Sequence, residues 1–180
     1  MMLANQGTDN GPLTAGYLRA IQIIHLAAVT GATLLGVVAL VLYFSQAPAD
    51  ARPDLLIDKL AAVNWFLIAL AFFGFWMAEL IFKRQIAKRM PQNTGPDEAL
   101  PWRLQNVRSA LITKVMIHEM MASLGWMAFL LTVFQGLIYS NSLYWFDTAP
   151  YILFIYLTLN NWPSAERVRA LLQAGLTSIR

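Results

Sequence analysis

Four long apolar segments constrain the fold of this chain more than any other feature of its sequence. They cover about residues 17–43, 61–82, 110–139 and 143–161. A helix needs about 20 predominantly apolar residues to cross the hydrocarbon core of a bilayer. Inside that core the backbone polar groups must be bonded within the protein, which a single segment achieves only as a helix. We therefore expect an all-α integral membrane protein built as a four-helix bundle.

Little of the chain lies outside these segments. We expect residues 1–16 to form a polar tail, 17–162 a transmembrane domain and 163–180 a cytoplasmic amphipathic helix. Only 13% of the residues are charged, against about a quarter in a typical soluble domain. The chain has no cysteine, which excludes disulfides and thiolate sites. Because no soluble catalytic domain fits between the spans, we predict that the protein is not an enzyme.

The basic residues are distributed very unevenly between the two sides of the predicted bundle. With four spans, both termini and the central loop share one side, which carries eleven lysines and arginines. The acidic loop on the other side carries only Arg52 and Lys59. Since basic loops stay in the cytoplasm, we expect a multi-pass protein of the bacterial inner membrane with both termini cytoplasmic. The basic loop then serves topology and anionic lipid headgroups, and neither nucleic acid nor a small-molecule substrate is indicated.

Aromatic residues lie where the predicted spans meet the membrane surfaces, as in an aromatic belt. Tyr17 and Trp162 fall at the inner boundary. The residues that fall at the outer boundary are Tyr43, Trp65, Tyr139, Tyr144 and Trp145. In the central loop, we expect the chain to break at Met90 and Pro91, and Pro101 to lie in the first turn of the third helix.

A weak internal repeat relates the first and third spans. The phrases L-R-A-I-Q-I-I-H and V-R-S-A-L-I-T-K open them, and a glycine follows the arginine by 17 residues in both, as Arg19 with Gly36 and Arg108 with Gly125. Chance identity of common apolar residues is the alternative. A true repeat would give two helical hairpins related by an axis along the membrane normal.

Small residues recur four apart on the first span and are candidates for close helix packing. They are Ala27, Gly31, Ala32 and Gly36, with Gly125 as the counterpart on the third span. Such spacing lets helix backbones approach closely. Packing within the chain and an oligomer interface are both open interpretations.

Four ionisable residues within the spans are candidates for a proton or ion site, all in the half next to the basic loop: His25, Glu79, His118 and Glu119. Intramembrane ionisable groups indicate function by default. Glu79 precedes Lys83 by four residues, which predicts an ion pair along one helix. We expect His25 to be a neutral, hydrogen-bonded packing residue, because buried polar groups find partners.

Glu119 differs from the other carboxylate, Glu79, because no cationic residue lies three or four positions away. His118 points about 100° away from it on the same helix. Leaving a carboxylate in hydrocarbon would cost at least about 3 kcal/mol. We therefore expect Glu119 to face a protein interface and to be mostly protonated.

Known metal motifs do not match these residues. His118-Glu119 begins like the zinc-protease pattern H-E-x-x-H, but Ala122 stands where the second histidine is needed. Neither Glu79 nor Glu119 has the histidine of a di-iron Glu-x-x-His pair. We expect no metal and no cofactor. The alternative is haem b held by His25 and His118, whose depths differ by only about 6 Å.

The stretch H-E-M-M-A-S-L-G-W-M-A-F-L-L resembles the carboxylate-bearing helix of rotor-ring proteolipids of rotary ATPases. In both, a glutamate precedes a glycine by six residues in an apolar run, here Glu119 and Gly125. That resemblance implies an ion-binding carboxylate. Here the carboxylate lies on the first helix of its hairpin, and the first span has no dense glycine repeat. The whole chain also resembles small bacterial four-helix membrane proteins, which implies architecture only.

Three functions follow from these observations. The first is a non-catalytic integral membrane subunit that packs against itself or within a larger membrane complex in an accessory role. The second is a proton- or ion-handling protein centred on Glu119, with His118 or His25 in a relay. The third is a haem- or pigment-binding membrane subunit that uses His25 or His118.

Overall fold

The computed structural model describes residues 11–45, 55–88 and 96–177, and these residues confirm the predicted all-α fold. Residues 1–10 of the predicted tail (1–16), most of the acidic loop (residues 46–54) and the break at Met90 and Pro91 lie outside the described residues, whereas residues 11–16 of the tail belong to the first helix. The elements are α1 (Gly11–Ser45), α2 (Leu55–Ile86), α3 (Pro96–Phe134), α4 (Leu137–Ser140), a 3-10 helix (Ser142–Thr148), α5 (Ala149–Asn160) and α6 (Ala165–Thr177).

Three of these helices are long and apolar enough to cross a membrane: Ala15–Ser45, Leu60–Ile86 and Leu100–Phe134. The prediction of transmembrane helices is thereby confirmed for the first three spans. The fourth predicted span divides into the 3-10 helix and α5, which has 12 residues. Twelve residues rise about 18 Å, whereas the hydrocarbon core is about 30 Å thick. Pro150 explains the division, because proline favours the first turn of a helix and α5 begins beside it.

The third helix begins earlier and ends earlier than its predicted range of 110–139. Pro96 opens α3, so Pro101 lies one turn inside the helix rather than in its first turn. The polar residues before the apolar stretch are helical too, and hydropathy alone does not reveal such an extension. The helix stops at Phe134 because Gly136 adopts a left-handed conformation with φ of 71°.

Helix α3 lies at the centre of the fold, with α1, α2 and α5 packed against it. In its most apolar 18-residue stretch, half of the residues of α3 are buried, against 22% for α1 and for α2. The buried positions of α2 recur three or four residues apart, and they are Asn64, Ile68, Ala71, Phe75 and Ala78. Small residues at these seams let the helix backbones approach closely.

The predicted small-residue row of α1 divides between the core and the surface. Ala32 is 1% exposed, and Gly36 is buried beneath Trp126. A Cβ atom on Gly36 would lie 2.4 Å from the Trp126 ring. Ala27 and Gly31 lie on the exposed side. Close packing within the chain therefore accounts for one side of the row, and the other side is available to a partner.

The two ends of the bundle differ in chemistry. At the aromatic end, Tyr43 stacks on Tyr139 at 5.1 Å between ring centroids and packs edge-on against Trp145. Trp65 and Tyr144, which are also predicted for the outer boundary, lie 6.3 Å apart. At the opposite end, called the basic end here, lie the buried Lys114 and the exposed Arg167. Helix α6 closes the basic end through an apolar cluster of Ile21, Val107, Leu111 and Val168.

Candidate functional site

A cavity of about 50 Å³ lies at the basic end, between α1, α3, α5 and α6. Its polar lining comes from His25, Lys114, His118, Thr158, Asn161 and Arg167. We call it the basic-end cavity. It brings together residues that are up to 146 positions apart in the sequence, because α6 packs on α1 at Ile21 and on α3 at Val107 and Leu111.

Both histidines of the chain line this cavity, and both are buried. His25 Nδ1 lies 2.9 Å from the carbonyl of Ile21. A carbonyl only accepts, so Nδ1 carries the proton and donates it there. His118 packs against the ring of Phe75, and its Nε2 is buried without a hydrogen-bond partner among the described residues. His118 therefore has a buried ring nitrogen without a partner among the described residues, beside the cavity that it lines.

The ion pair at this end differs from the predicted one. Glu79 pairs with Lys114 of α3 and not with Lys83 of its own helix. Lys114 is 8% exposed and also lies 4.7 Å from the centre of the Phe82 ring. Its ammonium group is removed from water there and needs a counter-charge more than the exposed Lys83 does. The helix packing therefore overrides the favourable spacing of Glu79 and Lys83.

Glu119 lies on a different face of α3, at the seam with α1. A Cβ atom on Gly31 would lie 2.9 Å from Glu119 Oε1, so the carboxyl rests on the bare backbone of that glycine. The side chain is partly exposed, and no hydrogen bond or ion pair to it is present within the described residues. Met116 and Met120 flank it and are more than half exposed. We call Ala27, Gly31, Met116, Glu119 and Met120 the seam face.

A second buried carboxyl, Asp147, lies at the aromatic end. Its side chain is fully buried and accepts hydrogen bonds from Asn64 Nδ2 at 3.0 Å and from Thr132 Oγ1 at 3.3 Å. A Cβ atom on Gly125 would lie 2.8 Å from the backbone carbonyl oxygen of Asp147. Asp147 therefore ties α2, α3 and the 3-10 helix together.

The three polar sites are not continuous. Thirteen residues separate Glu119 from Thr132 along α3, which corresponds to about 20 Å. The side chains of Ala122, Trp126 and Phe129 fill that interval and belong to the apolar core. Along this face of α3, apolar side chains therefore separate Glu119 from the Asp147 network.

Sequence reasoning missed two of these residues. Asp147 is an acidic residue inside an apolar stretch, so the argument used for Glu119 could have singled it out. Thr158 gave no signal, because threonine on a helix ordinarily bonds to its own backbone. The residues predicted as a relay also separate, since His25 and His118 share the cavity while Glu119 faces α1.

The cavity bears on the haem alternative through its size. A water molecule needs about 10–15 Å³ of such space, so the cavity holds a few waters, and a porphyrin would require the helices to separate. Among residues 11–45, 55–88 and 96–177, no three histidine, aspartate or glutamate side chains come together as metal ligands.

Comparisons of this chain with protein-family models, curated proteins and solved structures find no match.

Proposed function

We propose that the protein is a non-catalytic integral membrane subunit that assembles through the seam face with another membrane-embedded helix. The observation that carries the proposal is Glu119. Its carboxyl is partly exposed and has no partner among the described residues, although it lies in the middle of a membrane-spanning helix. A polar group left to hydrocarbon is costly, so a second protein surface that covers and bonds it is favourable.

The neighbours of Glu119 support a protein partner over lipid. Ala27 and Gly31 leave a shallow surface on which a helix backbone can lie closely. Met116 and Met120 are 54% and 55% exposed, and methionine is common at protein surfaces that adapt to partners. The partner is a second copy of this chain or a helix of another membrane subunit.

In this proposal the 3-10 helix and α5 together return the chain through the membrane. They run from Asp147 at the aromatic end to Asn161 at the basic end, and the four segments then form two hairpins. The uneven distribution of lysine and arginine supports cytoplasmic termini in a bacterial inner membrane. Tag-accessibility mapping of the two termini and of the loop after α1 tests this topology, and a cytoplasmic acidic loop would contradict it.

The assembly proposal is tested by enlarging the seam face. Ala27→Leu adds bulk to the exposed side of α1, and we expect it to reduce assembly in native-like lipid while the bundle itself stays folded. Ala69→Leu is the matched control, because Ala69 is an exposed alanine in the middle of α2. The readout is the mass of the detergent- or lipid-corrected complex, together with co-purified subunits. A monomeric wild type with no partner overturns the proposal.

A second candidate function, proton or ion handling at Glu119, is favoured by the same unpartnered carboxyl. The two functions differ for Glu119→Gln, which keeps shape and hydrogen bonding but removes titration. A structural role predicts that assembly and the activity of the host complex survive. A proton-handling role predicts that assembly survives while proton-coupled activity is lost, and that a carbodiimide labels Glu119 in the wild type.

A further inference from the structure

The basic-end cavity contains polar atoms that have no partner among the described residues. Thr158 is 3% exposed and its hydroxyl is unbonded, as is Nε2 of His118, which is also 3% exposed. Other threonines on these helices behave differently. Thr30 and Thr33 donate to carbonyls of their own helix at 2.9 and 2.7 Å. The Thr158 hydroxyl is therefore a donor without an acceptor among the described residues, on a residue that lines the cavity.

Several backbone carbonyls near the cavity already accept a side-chain hydrogen bond. The donors and acceptors are Gln22 to Pro163, His25 to Ile21, Asn161 to Leu157 and Arg167 to Asn160. The Thr158 hydroxyl and His118 Nε2 remain without a partner among the described residues. His118 contributes a donor when its proton is on Nε2, and no hydrogen bond from the described residues fixes the other tautomer.

The cationic side chains at the cavity favour an anion, as its hydrogen-bond donors do. Lys114 and Arg167 line the cavity, and no carboxylate of the described residues does. Glu79 pairs with Lys114 from beside the cavity. These two cations and one anion leave one formal positive charge among the three side chains. Because charges inside a protein are screened less than in water, this charge acts on a small ion in the cavity.

We infer that the basic-end cavity binds a small monovalent anion of about the size of chloride. The anion accepts hydrogen bonds from Thr158 and His118 and neutralises the excess positive charge of Lys114 and Arg167. Water also bonds to such groups, whereas only an anion offsets the positive charge of the lining. The volume of about 50 Å³ accommodates such an ion with one or two waters.

The test uses the full chain purified in detergent micelles. Thermal unfolding is followed as chloride replaces gluconate, which is too large for the cavity, at constant ionic strength. A ligand that binds only the folded state raises the melting temperature with its concentration. We expect chloride, bromide and nitrate to raise it and the shift to follow a single-site isotherm. Line broadening of the ³⁵Cl magnetic resonance signal measures binding directly.

Two variants locate the site. Thr158→Val keeps the shape of the side chain and removes its donor, and we expect about tenfold weaker binding because a hydrogen bond to a charged group is lost. Arg167→Gln should weaken binding by removing a charge at an exposed position. Thr30→Val is the matched control and should bind as the wild type does. Equal responses to chloride and gluconate, or unchanged broadening in both cavity variants, would overturn the inference.

Discussion

The two ends of the bundle each bury polar side chains but treat them differently. At the aromatic end, the Asp147 carboxyl is fully buried and receives two hydrogen bonds from neighbouring elements. At the basic end, His118 and Thr158 are almost as deeply buried and receive none from the described residues. Buried polar groups are normally bonded. Asn64 Oδ1 of the aromatic-end network also lacks a partner among the described residues, so the contrast concerns Asp147 itself. Asp147 joins three elements through its hydrogen bonds, whereas His118 and Thr158 line a cavity for which we propose a ligand.

The largest expected effect breaks the bonded network at the aromatic end. Asp147→Ala removes the acceptor of Asn64, whereas Thr132 keeps its shorter hydrogen bond to the Phe129 carbonyl. The stranded Asn64 amide should lower the free energy of unfolding by up to about 3 kcal/mol, since a stranded buried group costs about 1–3 kcal/mol. Asp147→Asn keeps an acceptor and the shape of the side chain, and should cost less than half as much. Denaturant unfolding in mixed micelles measures both. Equal losses in the two variants would show that the hydrogen bonds are not what Asp147 contributes.

A smaller effect is expected at Gly125, where α3 touches the backbone of Asp147. A Cβ atom there would lie 2.8 Å from the Asp147 carbonyl oxygen, which is fixed in the chain and cannot move aside as a side chain can. Gly125→Ala should therefore cost about 2 kcal/mol, within the range for an overpacked core. Gly16→Ala is the control, because nothing lies within 4 Å of that position and alanine favours a helix. A neutral Gly125→Ala would mean that α3 and the 3-10 helix separate readily.

Breaking the ion pair at the basic end should lower the free energy of unfolding by about 1–2 kcal/mol. Glu79→Gln leaves the buried Lys114 without its counter-charge. Breaking a fully buried pair costs about 3–5 kcal/mol, and the effect is reduced here because the Glu79 side chain is 37% exposed. Lys83→Gln serves as the comparison and should change the free energy of unfolding by less than about 0.5 kcal/mol. A Lys83 effect as large as that of Glu79 would restore the pairing that the sequence predicted.

The smallest expected effect comes from making the same threonine-to-valine substitution at each end of the bundle. The two results compare the two ends directly. Thr132→Val removes the hydrogen bond to Asp147 and should cost about 1 kcal/mol. Thr158→Val, measured without chloride, removes a hydroxyl that bonds nothing in the described residues and should change stability by less than about 0.5 kcal/mol. Thermal unfolding of the two variants in parallel tests this difference. A loss at Thr158 equal to that at Thr132 would reveal a bond inside the cavity even without the ion.

The local properties of the chain were readable from the amino-acid sequence. Apolar length indicated the membrane helices, since crossing hydrocarbon requires a long run of such residues. The same reasoning was weaker at segment ends. It missed the helical turns after Pro96, because polar residues beyond the bilayer are as compatible with helix as with loop. It also placed the end of the third span beyond Gly136, whose left-handed backbone ends α3.

The partners of the polar residues were decided by tertiary structure. Glu79 has a lysine four residues away and another 35 residues away, and only the packing of α2 on α3 selects Lys114. Asp147 meets Asn64 across 83 residues. His118 and Glu119 are adjacent in sequence, yet the rotation of α3 turns one into the cavity and the other onto Gly31. Composition and periodicity are properties of one segment, whereas each of these contacts depends on how two segments are rotated against each other.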